Sequence, residues 1–551
     1  MGLLNKTGRY WYTLRHLRPV QFYGRVWFRY SRPRPDLRAA SALRARSGTW
    51  QAPARRLPSM SGPRSFVFLN EPGGLDEIGW DGGQREKLWR YNQHYFDDLN
   101  AVDAEARQAW HLVLIEDWIA HNPPGQGNGW EPYPLSLRVV NWVKWALSGG
   151  ELSPAAVHSL AVQARWLTRR LEIHLLGNHL FGNAKALLFA GLFFEGQEAD
   201  GWRRTALEIL AREIPEQFLP DGGQFELSTM YHALALEDAL DLINVAACYA
   251  GTAPAEDDQR VRGWLIPRLP AMRRWLQVMC HPDGEIALFN DAAIGIAPSV
   301  AELEGYFARC LPDAVPLPLQ AVERLPDSGY VRLQSGDAVA LLDVARVGPD
   351  YLPGHAHADT LSFELSLFGQ RVLVNGGTSC YGTSAERLRQ RGTAAHNTVT
   401  VDGQDSSEVW GGFRVARRAY PAGLSLLEDA NCLQVSCSHD GYRWLKGRPV
   451  HTRIWFLHVG SLAVEDNVSG GYGEAVAHYR FHPDVVVSAD PYGREGVAVL
   501  ADGRRVGWQI ERGAGELVPS SWHPRFGVAQ PCMLLRVKLV GQSARVRFKW
   551  M

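Results

Sequence analysis

An excess of either charge is missing from this sequence: 58 Lys and Arg stand against 58 Asp and Glu in 551 residues. That balance gives no bulk attraction to nucleic acid, so any anionic partner must be held by a local basic site. Cysteine is scarce. The seven, at 248, 280, 310, 380, 432, 437 and 532, are scattered, odd in number and without a CxxC pair. This argues against a disulfide framework and against a Cys-based zinc site. No segment is long and apolar enough to span a membrane. The opening stretch MGLLNKTGRYWYTLRHLRPVQFYGRVWFRYSRPRP is basic and aromatic but lacks the uninterrupted apolar core of a signal peptide. The default expectation is therefore a cytoplasmic protein, with periplasmic or secreted placement as the alternative. Fixed-period repeats and low-complexity tracts are also absent.

What is present is enough apolar mass for more than one core. Hydrophobic residues make up 46% of the chain, and 20 Trp and 18 Tyr supply rings that serve a core or a sugar platform. From about 88 to 318 apolar residues recur at helical spacing, as in LSLRVVNWVKWAL, HLFGNAKALLFAGLFF and YHALALEDALDLINVAACYA. Gly/Pro-rich connections such as HNPPGQGNGWEPYP separate them, which suggests a ring or stack of helix pairs. Past the linker PDAVPLPLQAVERLPDSG (312 to 329) the period changes to two, in AVALLDVA, TLSFELSLF, TRIWFLHV and RVRFKW. Three regions follow: an Arg- and Pro-rich extension over 1–87 laid against the helical part, a helical domain over 88–318, and a mainly antiparallel β domain over 319–551.

Polar residues gather at three places where a plain core would not want them. In GNHLFGNAKALLFAG (177 to 191), Asn178 is an acceptable N-cap, but His179 beside it has no capping duty. With Asn183 and Lys185 a turn further on, the start of that helix could present an amide, an imidazole and free N–H groups to an anion. In DGGQFELSTMYHALALEDAL, Glu226, Ser228, Tyr231 and His232 lead into another helix, Ser228 and Tyr231 on one face. A lone Tyr there is ordinarily core. In GHAHADTLSFEL, an extended strand would point His355, His357 and Asp359 the same way, which suits a metal or a catalytic pair, and His396 from a later strand could converge with them. The basic run ERLRQR just before His396 is either a solvated turn or an anion clamp of Arg387 and Arg391.

Together with VNGGTSCYG and RGTAAHNTVTVDGQDSSEVWGGFRVARRA, these stretches resemble the heparinase II/III family of polysaccharide lyases, most specifically from His355 to Arg418. The segments KLWRYNQHYFDDLN and GWEPYPLSLRVVNWVKW are similar to a bacterial branch of that family often associated with surface-polysaccharide gene clusters. The resemblance implies an α+β multidomain chain, an incomplete α/α toroid followed by an antiparallel β-sandwich domain. It also implies β-elimination at a uronic acid within an anionic polysaccharide or oligosaccharide.

Removing the C5 proton creates an enolate-like dianion unless the carboxylate is neutralised. By motif match Asn178 and His179 take that part and Tyr231 is the matching phenol. A free phenol titrates near pH 10, so acid is its easier role, with His355 as partner and Tyr381 as second choice. Glu226, Arg387 and Arg391 are expected to bind substrate. Some relatives carry a structural zinc held by two histidines and an aspartate, which fall here on His357, Asn375 and His396. An amide is a poor zinc ligand, so the site binds metal weakly, borrows Asp359, or is held by hydrogen bonds alone. Gly182 stands where some relatives place a Glu. Two rival readings remain: a glycoside hydrolase working through Asp221 and Glu226, and a non-catalytic binding or assembly protein of exopolysaccharide production.

Overall fold

A computed structural model describes residues 3–315, 318–429 and 431–551. Residues 316 and 317, within the expected linker, lie outside the described residues, as do 1, 2 and 430. The chain opens with helices α1 (Leu3–Leu14) and α2 (Pro19–Tyr30), then runs extended along the helical domain. Arginines of that strap anchor it by donating to carbonyls the toroid leaves free: Arg44 Nε to Leu192 O at 3.1 Å and Arg46 Nη1 to Leu147 O at 3.0 Å. A small sheet of Met60–Gly62, Ser65–Phe68 and Glu71–Gly74 follows.

The toroid is built from α3 (Gln108–His121), α4 (Pro132–Leu147), α5 (Pro154–Arg169), α6 (Gly177–Phe193), α7 (Gln197–Gln217), α8 (Thr229–Cys248), α9 (Ala255–Leu265), α10 (Leu269–Val278) and α11 (Val300–Cys310). Proline at the first turn starts α4 and α5, and Ser153 caps α5 by accepting from Ala156 N at 3.1 Å. Helix α6 is apolar on all sides, and it is buried nearly throughout, between α4, α7 and α8. Its start needs glycine: Gly177 has φ +52°, and a Cβ there would lie 2.4 Å from Leu352 Cδ2. Leu176 occupies the N-cap position, so Asn178 is not the cap and its amide is free for other work.

The β domain is antiparallel, as its period-two patterning requires. Five strands run in order Val322–Leu325, Tyr330–Ser335, Ala338–Asp343, Phe363–Leu367 and Gln370–Leu373. A larger sheet starts from Pro421–Glu428, Cys432–His439, Val450–His458 and Ser461–Ser469, and a smaller one contains Val399–Val401 and Ala475–Arg480. Alternate residues of Val450–His458 turn inward, and one apolar core joins the three sheets.

The strand expected through His355 and His357 is a loop, and the strand begins only at Phe363. The reason lies in where the backbone groups go. His355 O accepts from Asp291 N at 2.9 Å, and His357 N donates to Asn290 Oδ1 at 3.0 Å, so a toroid loop replaces the ladder partner. Behind this loop Arg453, wholly buried, binds Asp466 through Nε at 2.7 Å and Nη2 at 2.9 Å and donates Nη1 to Leu361 O at 2.9 Å. It also donates to Asn397 O. The pair thus pins the two chain segments that carry His357 and His396. Asp466→Asn, which strands a buried guanidinium, should cost about 3–5 kcal/mol in urea unfolding of the full chain, and an unchanged midpoint would refute that anchoring.

Candidate active site

Helix α8 is capped by Ser228, whose hydroxyl accepts from Tyr231 N at 3.3 Å and donates to Asp291 O at 2.6 Å. This fixes Tyr231 on the first turn, at the edge of a narrow cleft of about 40 Å³ that Tyr133, Asn178, Gly182 and Gln224 also line. Tyr231 OH meets Tyr381 OH at 3.0 Å, and its ring stacks on His355 with centroids 4.0 Å apart. Three residues far apart in sequence are thereby brought together. Burial pushes the Tyr231 phenol well above its usual value, and the neighbouring Tyr381 phenol adds to the shift. Tyr381 rises likewise by burial, despite the Arg387 guanidinium 4.8 Å from its ring. Both phenols remain protonated at neutral pH.

Beneath them lies a carboxylate that sequence reasoning missed. Asp291 is fully buried in the turn between α10 and α11. Its Oδ2 receives His355 Nδ1 at 2.9 Å and Arg387 Nη2 at 2.6 Å, and its Oδ1 receives His357 Nε2 at 2.8 Å and Arg387 Nη1. Burial opposes its charge, but the Arg387 guanidinium and the two imidazoles outweigh that and hold the carboxyl well below the usual range. An ionised Asp291 assigns the His355 proton to Nδ1 and leaves a lone pair on Nε2. The two histidines meet at a single carboxylate although their segment is a loop, so Asp291 and not strand alternation brings them together. Nothing in FNDAAIG announced it, since the residue is an ordinary Asp in a turn.

A second missed carboxylate serves the opposite wall. His179 Nδ1 lies 3.2 Å from Glu172 Oε1, off the hydrogen-bond direction, and its ring stacks on Tyr133 at 4.5 Å. Burial alone would lower the His179 pKa; Glu172 reverses this and raises it above the usual value. Asn178 sits beside it on the cleft wall. Asn183 and Lys185, expected to share in anion binding, do not. Asn183 is buried against Glu172 and Ser136, and Lys185 Nζ is held at 2.6 Å by both Asp238 and Asp241. His232 is a satisfied core residue, bonded to Gln224 N and Met272 O.

The anion clamp does not form. Arg387 and Arg391 are both fully buried, Arg387 on Asp291 and Arg391 on the carbonyls of Ala356 and Gly412. ERLRQR is a helix, α12 (Ala385–Arg391), whose inward face is cationic because Asp291 and those carbonyls need partners. Glu226 is also buried rather than cleft-lining; its Oε2 lies 3.7 Å from His355 Nε2, and burial raises its pKa.

The residues expected to hold zinc do not fit it. His357 Nδ1 contacts His396 Nε2 at 3.2 Å, but the Asn375 oxygen accepts from Asn397 N at 3.3 Å and its nitrogen faces Ser362 Oγ at 3.4 Å. Asp359, the possible substitute, accepts from Asn290 N at 2.9 Å. Among the described residues no three His, Cys, Asp or Glu side chains converge as a metal site. His357 and His396 thus face each other without a third His, Cys, Asp or Glu ligand among the described residues. Purified protein should carry only sub-stoichiometric zinc by elemental analysis, and a chelator should leave its melting temperature unchanged. One firmly bound zinc per chain would overturn this.

Comparison with known proteins agrees with this architecture. Residues 80–313 match the heparinase II/III N-terminus and residues 318–550 match the heparinase II/III-like C-terminal region. The chain is 28% identical over 391 residues to a heparin-sulfate lyase of Bacteroides stercoris, covering 61% of this chain and 57% of the relative. It is 26% identical over 335 residues to a heparin-sulfate lyase of Pedobacter heparinus, covering 55% and 49% respectively. The match thus spans about half the length of these curated relatives. Among solved structures, a heparinase III superposes with a TM-score of 0.69 at 16% identity, over 87% of this chain and 80% of that one. A mutant heparan sulfate lyase of Pedobacter heparinus gives 0.61 at 18%, over 84% and 77%. At such identities the likeness is one of fold. With both of its large regions matched, the chain belongs to the heparinase II/III family.

Proposed function

We propose that this chain is a polysaccharide lyase that cleaves a uronate-containing anionic polysaccharide by β-elimination, leaving a 4,5-unsaturated uronate end. The observation that carries the reading is the meeting of a protonated phenol, Tyr231, with an Asp-oriented imidazole, His355, beside a cleft that Asn178 and Tyr133 line, with His179 packed on the Tyr133 ring. His355 Nε2 takes the C5 proton, and Asp291 compensates the imidazolium that forms. The C5–H electrons make the C4–C5 double bond as the C4–O bond breaks, and Tyr231 protonates the departing glycosidic oxygen. Asn178 and protonated His179 stabilise charge on the substrate carboxylate. Tyr381 holds the Tyr231 hydroxyl in line.

The family and the names of the matched relatives support heparin-type glycosaminoglycans as the first polymers to try, followed by other uronate polymers such as alginate. The hydrolase reading loses its second carboxylate. Asp221 Oδ2 accepts from Asp327 N at 2.9 Å, Ser328 N at 2.7 Å and Ser328 Oγ at 2.8 Å, which ties it to the domain linker.

Ultraviolet absorbance of the conjugated uronate, followed over a panel of uronate polymers, tests the proposal. Tyr231→Phe should lower kcat by about 10²–10⁴-fold on whichever polymer the wild type cleaves. New reducing ends without absorbance would indicate hydrolysis; binding without any turnover would indicate an assembly protein.

The His179 assignment predicts a pH effect. Its raised pKa keeps the imidazolium present above the ordinary value near 6.5, and activity falls as pH rises through the raised value. Glu172→Gln removes the raising charge while burial persists, so the alkaline limb of the kcat/KM profile should move to lower pH. An unmoved limb would remove protonated His179 from the mechanism.

A further inference from the structure

The first 35 residues carry eight Lys and Arg and no Asp or Glu, in a chain whose total charge is balanced. The structure folds part of this segment into a surface that reverses the usual arrangement of a helix on a protein. Helix α2 packs inward through its small or polar side: Gln21 is buried, a Cβ on Gly24 would come within 2.9 Å of His174 Cβ, and Phe28 stacks on His174 at 4.5 Å. Its outward side is apolar. Phe22, Tyr23, Val26, Trp27 and Tyr30 recur at i, i+1, i+4, i+5 and i+8, within an arc of about 140°, and all are exposed, Trp27 by 66% and Tyr30 by 75%. Helix α1 adds Trp11, 66% exposed, and Leu14.

Arg9 of α1 and Arg18 at the start of α2 pair with Glu408 and Glu216, but the charge that flanks the apolar face of α2 is positive. Arg25, Arg29, Arg32 and Arg34 form no ion pair with a carboxylate among the described residues, although arginines elsewhere in the chain commonly do. Burial lowers the Arg25 pKa and the nearby Arg414 lowers it further, which marks a cationic neighbourhood with no acid to balance it. A contiguous exposed apolar face of this size calls for a partner.

We propose that α1 and α2 form an interfacial anchor that lies on an anionic lipid surface, with aromatic side chains in the headgroup layer and arginines on lipid phosphates. Aromatic and aliphatic residues on one face, flanked by arginine, are what an in-plane membrane helix needs. No helix among the described residues is long and apolar enough to cross a membrane, so the association is peripheral. A second copy of the chain is a poor occupant, since two faces with the same excess of positive charge would repel. A polysaccharide strand is another poor one: Val26 and Leu14 offer nothing to hydroxylated rings, and the outer side of a helix forms no groove. The inner contacts of α2 reach the active-site loop, for Gln21 Nε2 donates to Tyr351 O at 3.1 Å, four residues before His355. Docking would therefore hold the cleft close to the lipid plane.

Co-sedimentation of the full chain with phosphatidylcholine vesicles, alone or mixed with phosphatidylglycerol, tests this. Binding is expected to the mixed vesicles only, weakening as salt is raised. Trp11→Ser/Trp27→Ser and Arg25→Glu/Arg29→Glu should each reduce it at least about tenfold, with the far-ultraviolet spectrum unchanged because these side chains are exposed. The proposal is overturned if the wild type stays in the supernatant with both vesicles, or binds phosphatidylcholine alone equally well. It is also overturned if the tryptophan variant only dissociates a dimer, or only loses retention on a uronate polymer, without any change in vesicle binding.

Discussion

The cleft depends on one buried charge. A carboxylate without water must gather cations or hydrogen-bond donors or else accept a proton, and Asp291 gathers Arg387, His355 and His357. The partners arrive from two segments of the β domain, the loop of His355 and His357 and helix α12 with Arg387, while Asp291 itself belongs to a turn of the toroid. One ion therefore sets the seam between the domains, the tautomer of the imidazole that faces the cleft and the burial of α12. Removing Arg387 would leave a buried anion that could recover only by protonation, and His355 would then lose its orientation.

The same constraint explains what the sequence could and could not disclose. The change from helical to period-two spacing near residue 320 was legible, because a helix and a half-buried strand have different repeats. Asn178, His179, Tyr231, His355 and Tyr381 were named through motif resemblance; Asn178 and Tyr231 line one cleft, and Tyr381 and His355 contact Tyr231. Asp291 and Glu172 were not, since a lone acid in a turn has no pattern until its partners are folded against it. Arg387 and Arg391 failed for the converse reason: a charged run resembles a solvated face, and only the tertiary structure reveals the acceptors that draw it inside. The strand expected across 355–359 failed because alternation carries no information about where the backbone hydrogen bonds go.

The toroid solves a similar problem with a network rather than one ion. Lys144 and Lys185 share Asp241, Lys144 also reaches Glu237, and Arg56 from the N-terminal strap closes on Glu237. Lys185 is thus spent although it reaches the cleft wall, and the nearest positive charge left for a uronate is His179. On the proposed mechanism such a cleft would meet a carboxylate with a titratable group, not a permanent cation, and its affinity for anionic substrate would follow pH in a way that an arginine clamp would not.

The proposed acid and base stand on opposite domains: Tyr231 on the first turn of α8, His355 on the loop that precedes Phe363–Leu367. Their spacing is accordingly a property of the domain seam and not of either domain alone. Two links fix it, the Tyr231–Tyr381 hydroxyl contact and the Asp291–His355 bond, and both cross from toroid to β domain. Because proton abstraction and leaving-group protonation act on adjacent carbons of one sugar ring, small changes in that spacing would separate them in time before either group was lost. Loosening the seam should therefore impair the proposed concerted elimination more than it impairs the carboxylate binding proposed for Asn178 and His179 of the toroid.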